Sequence, residues 1–270
     1  MINLGCVIGD ICGSVYEFKE VTTPHTDLNL FEYGSQFTDD TVMNCAVANW
    51  LLNDKKHTTK GLCNTFKKYG KIYPDVGYGW MFAKWLQSDD NSDYGSYGNG
   101  SGMRVSPVGF YAESLDECLE LAEITAKTTH GHEEGIKGAK AIASAIFLAR
   151  RGVSKTPIKR FLTEQFGYQL DEDWTELGWK KHRFDASCQI TVPEALSCFL
   201  QSDDFEDCIR KSIALGGDTD TIACMAGGIA EAYYGVPAYL QEKAKAKLDS
   251  RLRDDLMDFT NYCDAKILKL

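Results

Sequence analysis

The chain has 270 residues, of which 44% are hydrophobic and 25% charged, a balance that suits a folded protein with a full core. Its formal net charge of -10 disfavours nucleic-acid partners, because an acidic surface repels phosphate backbones. The 10 cysteines form no CxxC and no zinc spacing, no apolar run is long enough to span a bilayer, and Asp10 breaks the N-terminal apolar run. The expectation is a reduced, cytoplasmic protein with no membrane partner.

Residues 3–18 read as a helix in which Gly5, Gly9 and Gly13 fall four apart, a stripe against which a second helix can pack closely. Asp10 and Glu17 lie near the same face, where a carboxylate is costly unless something pairs with it. A solvated Glu at a helix end is the plainer alternative for Glu17. Residues 18–37 show no period and read as a functional or mobile loop. They lead into Phe37-Thr38-Asp39-Asp40-Thr41, followed by Met43, Val47, Trp50 and Leu51 at helical spacing. Residues 60–73 read as a helix stopped by Pro74, then come the turn Gly77-Tyr78-Gly79 and a short apolar segment, 80–86. Residues 88–102 are polar and contain Gly95-Ser96-Tyr97-Gly98-Asn99-Gly100, whose glycines can expose N–H groups to an anion or simply form a flexible loop.

Ser114 and Glu117 form a capping box for a helix reaching Lys127. His130 sits in the break before a helix over 133–150. Thr156-Pro157 opens another helix with Pro at its first position, and 168–188 reads as a surface excursion. Thr191 and Glu194 suggest a second capping box. A helix over 205–215 delivers Leu215-Gly216-Gly217-Asp218-Thr219-Asp220-Thr221, and a small-residue helix begins at Ile222. Segments 237–248 and 251–268 finish the chain as amphipathic helices. No alternating strand pattern is convincing, so the fold expected is all-α: one domain over 1–270 with ten or more helices.

The two Asp/Thr clusters carry the chemistry. Asp and Thr oxygens suit Mg²⁺, Mn²⁺ and Ca²⁺, and Asp218 and Asp220, two apart in a turn, can face one point. Helix capping explains one Asp at each helix start, and a pair with flanking threonines exceeds it. If the clusters meet, four carboxylates repel one another, and a pair of divalent cations relieves the repulsion.

Taken in order, these segments resemble the ADP-ribosylglycohydrolase family, which includes the dinitrogenase-reductase-activating glycohydrolases and ADP-ribosyl-acceptor hydrolases. The resemblance runs from Gly5 to about Pro237 through Gly9-Asp10-Ile11-Cys12-Gly13-Ser14-Val15-Tyr16-Glu17, the Phe37–Thr41 cluster, the loop from Gly98 to Pro107 and the Gly216–Thr221 cluster. It implies an all-α fold around a binuclear centre of Mg²⁺ or Mn²⁺, with Thr38, Asp39, Asp40, Asp218, Asp220 and Thr221 as ligands. It implies Glu17 beside one metal, as ligand or as the residue that activates water. Gly95, Ser96, Tyr97, Gly98, Asn99 and Gly100 would wrap the diphosphate of ADP-ribose, and His130 would contact its nucleotide side. The implied activity is metal-dependent hydrolysis of the ribose C1″ bond in an ADP-ribosylated protein or other conjugate. The alternatives are an ADP-ribose-binding or structural relative without catalysis, and a two-metal phosphohydrolase.

Overall fold

The computed structural model describes residues 2–267, and among them every regular element is helical. The first helices are α1 (Gly5–Gly13), α2 (Asp39–Asn53), α3 (Thr59–Ile72), α4 (Trp80–Gln87), α5 (Gly100–Met103) and α6 (Ser106–Tyr111). There follow α7 (Leu115–Lys127), α8 (Glu133–Arg150), α9 (Lys155–Phe166), α10 (Trp179–His182) and α11 (Cys188–Leu200). The chain ends in α12 (Phe205–Ala214), α13 (Thr219–Tyr234), α14 (Ala238–Lys247) and α15 (Ser250–Ile267). Leu268, the last residue expected in the final helix, lies outside the described residues.

Helices α1 and α13 form the centre of one compact domain. Every residue of α1 is buried, as is α13 from Thr219 to Glu231. The glycine stripe explains how close they lie: a Cβ on Gly9 would stand 2.0 Å from the Ala223 carbonyl oxygen, and one on Gly13 2.5 Å from that of Thr219. No side chain of its own caps the start of α1; instead Gly5 N donates to Glu231 Oε2 of α13 at 2.6 Å. Helices α2, α8, α11 and α12 pack around this pair, and all ten cysteines are free and buried.

The structure departs from the expected helix limits where tertiary bonds win. Helix α1 stops at Gly13 and does not reach residue 18. The chain turns so that Phe18 N donates to the Gly217 carbonyl at 2.8 Å and Lys19 pairs antiparallel with Gly217. Helix α13 starts at Thr219, so its acidic motif is its own first turn. Thr191 and Glu194 do not cap a helix: α11 begins at Cys188 and carries Pro193 inside. The carbonyl that Pro193 leaves without its helical partner belongs to Gln189, which is exposed to solvent. Pro157 is the third residue of α9 rather than the first.

Candidate metal centre

Packing α1 on α13 brings three chain segments to one place. Asp10 comes from the middle of α1, Asp39 and Asp40 from the first turn of α2, and Asp218 and Asp220 from the N-terminus of α13. The two acidic turns touch: Thr221 Oγ1 donates to Asp40 Oδ2 at 3.2 Å. Asp10, Asp40 and Asp220 offer carboxylate oxygens that all lie within 4.8 Å of one another, and so do Glu17, Asp218 and Asp220. Asp39 lies outside both groups but lines the same cavity, with its N–H on the Val76 carbonyl at 2.8 Å.

Asp10 explains the placing of α2. Its carboxylate accepts from Thr38 N (2.9 Å), Thr38 Oγ1 (2.7 Å), Thr41 N (3.1 Å) and Thr41 Oγ1 (2.5 Å). An anion at a helix N-terminus meets unpaired N–H groups and the positive end of the dipole, so Asp10 locks α2 in register with α1. The Thr38 and Thr221 hydroxyls donate to carboxylates, which leaves lone pairs on their oxygens for a cation.

The arrangement is electrostatically unfavourable by itself. Burial, then the charges of Asp220, Asp10, Asp39 and Asp218, hold the Asp40 carboxyl well above the usual range. Burial with the charge of Asp218 and Asp10 does the same to Asp220, and burial with Asp220 and Asp10 to Asp39. Asp218 is pushed up to about 6 by burial, against the pull of its hydrogen bonds. Half-buried Glu17 is pushed up to about 8 by burial and by the charges of Asp220, Asp39 and Asp10. Asp40 Oδ1 is buried without a hydrogen-bond partner. An orphaned carboxylate oxygen among like charges fits a hard cation, and the oxygen-only donor set fits Mg²⁺ or Mn²⁺.

A cavity of about 470 Å³ opens over these acids. Glu17, Thr38, Asp39, Asp40, Asp218, Asp220 and Thr221 line it, together with Ser96, Gly98, Asn99, Gly100 and His130. Asn99 ties the glycine loop to the acids, its Nδ2 donating to Asp218 Oδ2 at 2.7 Å. Gly95 and Tyr97 do not line the cavity; Tyr97 is 55% exposed and its ring packs on His132 at 5.5 Å. Several N–H groups expected to face an anion already have acceptors: Gly95 on Asp93, Ser96 on Thr129, Gly98 on the Ser96 hydroxyl and Asn99 on Ala186. A diphosphate cradle here therefore rests on fewer N–H groups than the glycine count suggests.

The mouth is aromatic. Phe18 is 63% exposed, Phe184 40% and Trp80 75%, and all three line the cavity. The Phe18 and Phe184 rings meet at 4.7 Å. Phe18 has φ +64°, rare for an aromatic residue, and its bonds to Gly217 hold it there. Sequence reasoning assigned no role to Asp10, Arg104, Phe18, Phe184 or Trp80. Asp10 had a signal, as the one charge in the apolar run Gly5–Gly13, whereas the aromatic rim is assembled from three distant segments and had none.

The sequence profile described as ADP-ribosylglycohydrolase matches residues 3–269. The chain is 29% identical to ADP-ribosylhydrolase ARH3 of Mus musculus, over 86% of this chain and 82% of that protein. It is 25% identical to ADP-ribosylarginine hydrolase Tri1 of Pseudomonas putida, over 94% of this chain and 76% of the relative. A solved structure, titled ADP-ribosylglycohydrolase-related protein complex, superposes with a TM-score of 0.70 at 25% identity, covering 93% of this chain and 94% of the other. No described helix is long and apolar enough to cross a membrane. With a matching profile along almost its whole length and an all-helical fold that carries the acidic turns side by side, the chain belongs to the ADP-ribosylglycohydrolase family.

Proposed function

We propose that this chain releases ADP-ribose from a conjugate by metal-dependent hydrolysis of the ribose C1″ bond. The observation that carries the reading is the gathering of carboxylates into two groups that share Asp220, Asp10–Asp40–Asp220 and Glu17–Asp218–Asp220, with Asp39 lining the same cavity. Asp40, Asp218 and Asp220, with Asp39, Thr38 and Thr221, would hold two divalent cations, with Glu17 beside one of them. When bound, Mg²⁺ or Mn²⁺ would offset the carboxylate charge, orient the ribose hydroxyls and make water more acidic.

The chain's own groups then do the following. Glu17 lies at the edge of the acid cluster and faces the cavity, the placing a general base for water needs. It takes a proton from the attacking water as the water oxygen bonds to C1″. The bond from C1″ to the acceptor breaks with its electron pair on the acceptor, which takes a proton from solvent as it leaves, and Glu17 gives its own proton up to solvent afterwards. The transition state is oxocarbenium-like, as in glycoside hydrolysis generally, and nearby carboxylates favour the positive charge that develops. Ser96, Gly98, Asn99, Gly100 and His130 hold the nucleotide part, and Gly95 and Tyr97 belong to this subsite only as the outer part of the loop. The acceptor leaves past Phe18, Phe184 and Trp80. Ten unpaired, buried cysteines support a reducing, cytoplasmic setting.

The test is a panel of arginine-linked, serine-linked and polymeric ADP-ribose, each with Mg²⁺, Mn²⁺ and chelator, with products separated. Free ADP-ribose formed only with metal, and lost by at least about a hundredfold in Glu17→Gln, is the expected result. Inorganic phosphate would indicate a phosphohydrolase, and tight binding without any product would indicate a reader.

A further inference from the structure

Among the described residues Arg104 is the second-largest fully buried side chain, 1% exposed, and it lines the cavity without belonging to the acid cluster. Its guanidinium lies over the Phe66 ring at 4.6 Å. Its Nη2 donates to the Thr125 carbonyl and to Thr129 Oγ1, both at 2.8 Å, while its Nε is buried without a partner. A cation buried against aromatic rings and neutral oxygens is costly, so its place asks for a reason beyond packing.

The reason lies one residue further on. Thr129 Oγ1 is 2.8 Å from His130 Nδ1. Arg104 can only donate, so it occupies a lone pair of the hydroxyl and leaves the Thr129 proton free to point at Nδ1. His130 is 5% exposed, its backbone N–H is fixed on the Ala126 carbonyl at 2.7 Å, and burial together with the Arg104 charge keeps its ring neutral. A neutral imidazole that accepts at Nδ1 must carry its proton on Nε2. That nitrogen faces the glycine loop: a Cβ on Gly100 would lie 2.9 Å from it, and one on Gly98 3.7 Å.

We propose that Arg104 is a positioning residue that acts through the Thr129 hydroxyl to hold His130 as the Nε2–H tautomer, a neutral donor aimed at a phosphate or ribose oxygen of the nucleotide beside Gly98–Gly100. The identity of that ligand rests on the ADP-ribose reading of the cavity; the tautomer is a property of the free chain. Both are tested together. In protein labelled with ¹⁵N-histidine and free of ligand, the His130 ring shows a protonated Nε2 and a bare Nδ1 near neutral pH. Thr129→Val, which keeps the shape and removes the hydroxyl, mixes the tautomers and weakens binding of free ADP-ribose in Mg²⁺ by about five- to tenfold, the range of one neutral hydrogen bond. Thr129→Ser restores both readouts. Arg104→Lys, whose ammonium ends one bond short of the Nη2 that serves both acceptors, moves both toward Thr129→Val.

A protonated Nδ1 in the unsubstituted chain overturns the proposal. So does a Thr129→Val chain with unchanged tautomer, or one that binds ADP-ribose within twofold of the original despite mixed tautomers. If the unsubstituted chain binds no ADP-ribose, the ligand reading fails by itself, and the ring nitrogens still decide the role of Arg104.

Discussion

At the scale of single residues, the acid cluster stores a proton-dependent instability. Glu17 has a folded pKa of about 8 against an ordinary 4.5, and Asp218 about 6 against 3.8. A raised acid pKa means that the folded chain binds the proton more tightly than the unfolded chain. That stabilisation is complete below the ordinary values and is lost as pH rises through about 6 and then about 8. The metal-free chain should therefore melt at a lower temperature at about pH 8.5 than at about pH 5.5. Added Mg²⁺ or Mn²⁺ should raise the melting temperature more at the higher pH, because the cation competes with these protons. Thermal scans with and without chelator check this, and equal metal increments at both pH values would contradict it. Asp10 marks the limit of reading at this scale. Its isolation in an apolar run announces a purpose, but only the fold shows that the purpose is to accept four hydrogen bonds from the start of α2.

At the scale of elements, the glycine stripe of α1 sets the geometry of everything else. A methyl group on Gly9 would meet the backbone of α13 and not a side chain able to move: the Ala223 carbonyl oxygen at 2.0 Å and the Cys224 nitrogen at 2.6 Å. Gly9→Ala should push α1 from α13 and separate Asp10 from Asp220. We expect a loss of about 3 kcal/mol or more of stability, at the upper end of overpacking costs, together with weaker metal binding; denaturant melts and metal titration measure the two. A variant of native stability would show that the contact yields easily. The four-residue spacing of Gly5, Gly9 and Gly13 made the close contact legible in the sequence, but not the identity of the partner helix. Helix ends were less legible. Residues 14–18 have nothing against helix in their composition, and they leave it because Phe18 and Lys19 find backbone partners at Gly217, some two hundred positions away. Local propensity is a weak prior against such tertiary bonds.

At the scale of the whole molecule, the parts that motifs can carry were legible: the helical class, both acidic clusters, and Glu17 and His130 at the cavity. Distant segments meeting in space were not. The Phe18–Phe184 contact joins the residue after Glu17 to a stretch whose sequence reads as a surface excursion, and Arg104 reaches His130 only through the break between α7 and α8. Tyr97 shows the converse. It lies inside a strong motif, yet its ring stands outside the cavity wall.

The proposed hydrolysis requires the acidic turns of α2 and α13 to act as one holder for paired cations. Crystals soaked in Mn²⁺ and measured at the manganese absorption edge test this directly. The expected result is two anomalous peaks about 3.5–4 Å apart, one bounded by Asp40 and Asp220 and the other by Glu17, Asp218 and Asp220. A map with no peak among these carboxylates at saturating Mn²⁺, or with manganese only at other acids, would contradict the account.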